Sequence, residues 1–163
     1  GVTTSQAYLP KDNSRDFAGG ETILDWLRQF ASKEEDDNTF LRGFLGRMLF
    51  SGEEVNKSVN VLSGGEKVRV MLSKLMLLKS NVLVLDDPTN HLDLESISSL
   101  NEGLTNYKGS LLFASHDHEF IQTIANHIIV ISKNGVIDRI GETYDEFLEN
   151  DEVQAKVKAL WAD

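Results

Sequence analysis

From Asn81 onward the apolar residues change period, and that change constrains the fold more than anything else in the chain. Three stretches, "NVLVLDD", "GSLLFASHD" and "HIIVIS…GVIDRI", are short apolar or β-branched runs, so they predict strands. Between the first two, "DLESISSLNEGLTNYKG" places Leu94, Ile97, Leu100, Leu104 and Tyr107 on one helical stripe and ends at Gly109, a suitable residue just past a helix. Strands read as buried on both faces and joined by an amphipathic helix predict an α/β chain with a mostly parallel, helix-covered sheet. The pair Asn134-Gly135 between two β-like runs predicts a closing hairpin.

The first sixty residues read differently. "TILDWLRQF" spaces Ile23, Trp26, Leu27 and Phe30 as a helix, with Thr22 and Asp25 as its capping box. "SKEEDDN" reads as a solvated connector, and "TFLRGFLGRMLF" predicts a second helix with Phe40, Phe44, Leu45, Met48 and Leu49 on one face. A further helix is expected to begin at "TYDEFLEN", capped by Thr143 and Glu146, and to fill the C-terminus.

Composition narrows the function. The 163 residues hold no run long enough to span a bilayer, no signal-peptide pattern and no cysteine, which predicts a soluble protein without disulfides or thiolate metal sites and fits the cytoplasm. A net charge of −10 argues against a general basic face for nucleic acid and leaves only a local contact open.

Three stretches carry chemistry. In a parallel sheet ligands sit at the carboxyl ends of strands, which is where Asp86 and Asp87 stand in "LDDPTNHLD". Asp86 could hold Mg²⁺ and Asp87 could polarise a water; read alone, "DDP" is equally a strand-ending turn closed by Pro88. His116, after "LLFAS", would emerge at the same sheet edge and could hydrogen-bond a phosphate or the attacking water, whereas His118 and His127 read as surface residues. In "VLSGGEKVRVMLSKLMLLK", Ser63 and Glu66 form a capping box, and Gly64-Gly65 leave the helix N-terminus bare for an anion. Taken singly, the stretch reads better as an ordinary capped helix with Val68, Met71, Leu72 and Leu75 as core.

In combination these stretches say more. "LSGGE", then "LDDPTNHLD", then "SHD", in this order and spacing, resemble the signature motif, Walker B, D-loop and switch histidine of the ATP-binding cassette superfamily over most of the chain. "PTNHLD" resembles the ABC-F group in particular, soluble proteins with two cassettes per chain that act on ribosomes. "SHDHEF" and "ETYDEFLEN" resemble the end of the second cassette. The resemblance implies a fragment of a P-loop NTPase-like nucleotide-binding domain. Residues 1–19 would be partial core with the Q-loop region and 20–61 a helical subdomain. Residues 62–141 would be the RecA-like core and 142–163 a C-terminal helix.

It also implies roles. Asp86 would be the magnesium carboxylate, Asp87 the water-polarising acid, Asp93 the D-loop residue and His116 the γ-phosphate sensor. Leu62, Ser63, Gly64, Gly65 and Glu66 would meet an ATP held by a second cassette of the same chain, closing head to tail. His91 would be D-loop scaffold only. The implied cofactors are ATP and Mg²⁺, the implied partner is the ribosome with its rRNA and not a membrane, and the implied setting is translation, antibiotic resistance included.

Three departures from the family pattern bear on this. No glycine is followed by lysine, so the phosphate-cradling G-x-x-x-x-G-K-[ST] is missing; the chain is expected to be a C-terminal fragment that does not hydrolyse ATP alone and that could self-associate through exposed sheet edges. Asp87 stands where the family has glutamate, which predicts slow turnover, and Lys11, rather than Gln6, falls at the Q-loop glutamine position. The competing readings are the nucleotide-binding subunit of a membrane transporter, where a "SALD"-like form is commoner than "PTNHLD", and a cassette kept only for its interface.

Overall fold

The computed structural model describes residues 2–12 and 14–162, and compactness divides the chain into a first unit ending at Ser115 and a second beginning at His116. In the first unit a three-stranded parallel sheet has the order β1 (Gln6–Leu9), β2 (Val82–Asp86), β3 (Ser110–Ala114). The register Leu9↔Leu85↔Phe113 aligns the three carboxyl ends. β1 was not legible beforehand: at four residues it is too short to show a period, and it becomes a strand only because β2 supplies its hydrogen-bond partners.

The helical front part consists of α1 (Ile23–Arg28) and α2 (Asn38–Arg47), with short 3-10 turns at Gly52–Asn56 and Val59–Val61. Backbone bonds from Ile23 to Lys57 and from Val59 to Glu21, with the Ser58 hydroxyl donating to Gly20, stitch the end of this part back to its beginning. Thr22 caps α1 by accepting from the Asp25 N–H, but Asp25 returns its carboxylate to the Thr22 hydroxyl, not to the backbone, so the expected box is half made. The buried residues are Leu41 and Leu45 on α2 and Met48 just past its end. Phe40 and Phe44 turn outward and pack on each other at 5.1 Å, and Arg47 lies over Phe44. Of the expected stripe Leu45 and Met48 are buried and Phe44 and Leu49 half-buried, while the place expected for Phe40 is taken by Leu41, one position on. "SKEEDDN" is also more than a solvated loop: Glu35 pairs with Lys79, and Asp36 with Arg28 at 3.4 Å.

α3 (Gly64–Leu77) is the central helix, in contact with α1, α2, β1 and α4 (Leu94–Thr105). Val70, Met71, Leu72 and Ser73 are buried in succession, as a helix packed on several sides requires; Val68, expected in the core, is half-buried. Along α4 the stripe begins at Ser96, with Leu100 and Leu104 buried, and Leu94 is 86 % exposed. That helix ends at Thr105, with Asn106 as its C-cap, before the expected glycine. Gly109 has a different reason: a Cβ there would lie 2.5 Å from the Asn81 carbonyl oxygen, so the entry to β3 tolerates no side chain.

The sheet is covered on one face only, against the expectation of burial on both. Ala7, Leu9, Leu83 and Leu85 are buried, while Tyr8 (54 %) and Leu112 (59 %) are open on either side of half-buried Val84.

The second unit holds α5 (His118–Ile124), the antiparallel pair β4 (His127–Ser132) and β5 (Gly135–Ile140), α6 (Tyr144–Glu149) and α7 (Asp151–Trp161). The predicted hairpin forms, with Lys133-Asn134 at the tip and Gly135, at φ +150°, starting the return strand. The expected single C-terminal helix is two: Asn150 leaves the helical region and caps α7 by accepting from the Val153 N–H at 3.2 Å. Phe120, Phe147 and Val153 are the buried centre of this unit.

Candidate functional site

The site begins where β2 ends. Asp86 is the last strand residue, paired in register with Ala114. The next residue turns the chain: Asp87 donates its N–H to the Ala114 carbonyl at 2.9 Å and adopts φ +47°, a left-handed conformation that aspartate tolerates better than most residues. The Asn90 N–H bonds the Asp87 carbonyl at 3.1 Å, closing a turn over Pro88, and the Leu92 N–H bonds Thr89 at 3.1 Å. His91 is the second left-handed residue of this loop, at φ +65°. The loop ends on Asp93, whose carboxylate accepts from the Ser96 N–H at 2.8 Å and caps α4. Those hydrogen bonds at Ser96 hold its carboxyl below the usual aspartate value, with Arg69 adding to the effect. An aspartate directly before an apolar helical run, with Glu95 in the first turn, is a cap signal the sequence does carry.

The helix α3 starts beside this loop. The Ser63 hydroxyl accepts from the Glu66 N–H at 3.3 Å, and the Glu66 carboxylate accepts from the Ser63 N–H at 2.8 Å, completing the predicted capping box. Glu66 also pairs with Lys57 at 2.8 Å. Burial is the largest single influence on its carboxyl and pushes its pKa up, but Lys57 and Ser63 together outweigh it and the net shift is downward. Leu62 is buried behind the helix start. The two glycines face the loop around His91: a Cβ on Gly65 would stand 2.9 Å from the His91 carbonyl oxygen, and one on Gly64 3.4 Å from the His91 Cβ. So the backbone of His91, expected only as scaffold, is what forbids a side chain at Gly65.

Lys11 completes the group. It follows β1 by two residues, and its ammonium lies 2.9 Å from Asp87 Oδ2. The hydrogen bond and charge of Asp87, with a smaller contribution from Asp86, raise the Lys11 pKa. Gln6 opens β1 and is exposed. Lys11, Asp86, Asp87, Gly64, Lys67 and His91 line an open hollow of about 290 Å³.

His116 opens the second unit, just before Asp117, which caps α5 by accepting from the Phe120 N–H at 2.7 Å. His118 pairs with Asp145 at 2.9 Å and His127 pairs with Asp138, both on exposed surface as expected. Among the described residues no cluster of three or more histidine, cysteine or acidic side chains could hold a metal. The hard oxygen donors Asp86 and Asp87 at a strand end do fit a Mg²⁺ bound through one carboxylate, with phosphate oxygens and water supplying the remainder.

A parallel sheet with its acidic strand end facing a capped helix start is the architecture of a P-loop NTPase-like nucleotide-binding domain. A solved chain described as RNase-L Inhibitor shares this fold, with a TM-score of 0.61 and 24 % identity over 77 % of this chain and 24 % of that one. A family profile described as "ABC transporter" matches residues 4–90, so the chain belongs to the ABC transporter ATP-binding family. It is 63 % identical, over its whole length and 30 % of the relative's, to the Bacillus subtilis (strain 168) "Uncharacterized ABC transporter ATP-binding protein YkpA". It is 41 % identical over 74 % of its length to "ABC transporter F family member 2" of Arabidopsis thaliana, of which it covers 17 %. The chain therefore spans less than a third of the length of these relatives.

Proposed function

We propose that this chain is the C-terminal part of the second cassette of a longer ABC-F protein that binds and hydrolyses ATP and acts on the ribosome in translation, in the cytoplasm. The observation that carries the reading is the convergence of Asp86 and Asp87 with the Gly64-Gly65 helix start across the His91 loop. One loop thus ties the strand end that would serve this cassette's own nucleotide to the helix start that would serve its partner's. The likeness to a relative named as an F family member and the form "PTNHLD" support the group assignment. Among the described residues no helix is long and apolar enough to cross a membrane.

In this reading Asp86 holds Mg²⁺, which would neutralise charge on the phosphates, and Asp87 orients and polarises the attacking water. Ser63, Gly64 and Gly65 offer N–H and hydroxyl groups to the γ-phosphate of an ATP on the other cassette, between Leu62, which anchors the segment, and Glu66, which holds the helix start rigid. Asp93 fixes the D-loop through its cap, and His116 reports the γ-phosphate. The chain in isolation does not hydrolyse ATP and self-associates, through the sheet face exposed at Tyr8 and Leu112 rather than through the sheet edges alone.

The test uses full-length protein. ATP is expected to drive co-sedimentation with ribosomes, Asp86→Asn to abolish turnover, and Asp87→Glu to raise turnover by up to about 10²-fold by restoring reach. Co-purification with a membrane subunit in place of ribosomes overturns the group assignment. A second reading, a cassette kept for its interface alone, draws on the engagement of Asp87 by Lys11; turnover at background even in Asp87→Glu would favour it.

A further inference from the structure

The chain departs from its family's pattern at two residues of the site, lysine for glutamine at 11 and aspartate for glutamate at 87, and the two side chains touch, Lys11 Nζ to Asp87 Oδ2 at 2.9 Å. The contact follows from the sheet. β1 and β2 run parallel with Leu9 opposite Leu85, so the residues two beyond leave neighbouring strands at the same level. Pro10 stiffens the approach of Lys11 by fixing its own φ. The Asp87 backbone is held at three points: its N–H on Ala114, its carbonyl under the Asn90 N–H, and its left-handed φ. What remains to be decided is the direction of a short carboxylate, and the lysine decides it. Its side chain is 59 % exposed against 18 % for Asp87, so it reaches in from the solvent side. An ion pair so exposed does little for stability, which leaves geometry as its main effect.

We propose that Lys11 is a positioning residue for Asp87 in ATP hydrolysis: it holds Oδ2 and leaves Oδ1 as the oxygen that meets the attacking water. The proposal rests on the hydrolytic reading above. In the step it serves, the water oxygen bonds the γ-phosphorus while the bond from that phosphorus to the β–γ bridging oxygen breaks, its electron pair leaving with ADP. One water proton passes to Oδ1 of Asp87 and then to solvent, and the other stays on the phosphate. A glutamate would reach the water on its own length; an aspartate depends on being aimed, since a displacement of about 1 Å can cost around 10²-fold in rate.

Steady-state ATP turnover and the affinity of a fluorescent ATP analogue are measured in full-length wild type, Lys11→Met, Lys11→Arg, Asp87→Glu, the Lys11→Met/Asp87→Glu pair and Asp86→Asn as background, with thermal melts confirming that each is folded. Lys11→Met is expected to lower kcat by roughly 10- to 100-fold, with KM and analogue affinity within about twofold, and Lys11→Arg to recover most of the loss. In the Asp87→Glu background the same change should cost less than about threefold, because the longer acid no longer needs aiming. Equal losses in both backgrounds, an unchanged kcat, or a rise in KM at constant kcat, which would make Lys11 a phosphate ligand, overturns the proposal. If wild type and Asp87→Glu both stay at the Asp86→Asn background, the hydrolytic reading has failed and the proposal falls with it, a pattern distinct from the other three.

Discussion

Gly65 shows how one residue can be constrained from two sides. Its place at a helix N-terminus accounts for bare N–H groups, but the close approach of the His91 carbonyl, 2.9 Å from where a Cβ would be, is a separate constraint. Alanine normally stabilises a helix over glycine by about 0.5–1 kcal/mol, and that gain should survive in Gly64→Ala, where the neighbour is a side-chain carbon at 3.4 Å. In Gly65→Ala the loop backbone must move instead. The expected outcome in urea unfolding is a loss of about 1–3 kcal/mol for Gly65→Ala and a change within about 0.5 kcal/mol, or a slight gain, for Gly64→Ala. Lys11 and Asp87 make the complementary point: each reads as a weakening departure in sequence, and their contact gives both a joint reason.

At the scale of elements, α3 carries both stability and the site. Its start is fixed by Ser63, Glu66 and Lys57, and its body is buried through Val70, Met71, Leu72 and Ser73. Removing the cap with Ser63→Ala should cost about 1 kcal/mol in urea unfolding. Glu66 adds a pH dependence. Its carboxyl lies below the ordinary value of 4.5 in the folded chain, so its contribution is present above that value and is lost as pH falls through the lower folded one. Unfolding midpoints followed from about pH 7 to about pH 3 should fall less steeply in Glu66→Gln than in wild type; parallel curves would show that Glu66 is not the group responsible. The other helices show where element reading has its limits. α2 and α4 were placed correctly, yet Leu41 in place of Phe40, and Ser96 in place of Leu94, took the buried positions, because hydrophobicity alone does not say which of two adjacent faces a neighbour will cover.

At the scale of the whole molecule, exposed Tyr8 and Leu112 flank half-buried Val84 in a row that runs straight across the parallel sheet in register. Apolar side chains aligned over three strands are a patch that water disfavours and that another copy can cover. The isolated chain is expected to show concentration-dependent association in sedimentation equilibrium, and Leu112→Lys to shift it towards monomer without changing the helix content; a monomer at all concentrations would count against this surface.

The motifs, their order and the switch from helical to strand period were determined by the sequence itself, because hydrophobic period, capping pairs and the run "LDDPTNHLD" act over a few neighbouring residues. So were the cap of α3, the final hairpin and the placing of Asp86 and Asp87 at a strand end. Only the tertiary structure decided that Gln6–Leu9 is a strand, that the sheet is bare on one face, that Gly65 packs on His91 and that Lys11 holds Asp87. Each of these joins residues far apart in the chain, 76 positions in the case of Lys11 and Asp87, and such contacts leave no local pattern to be read.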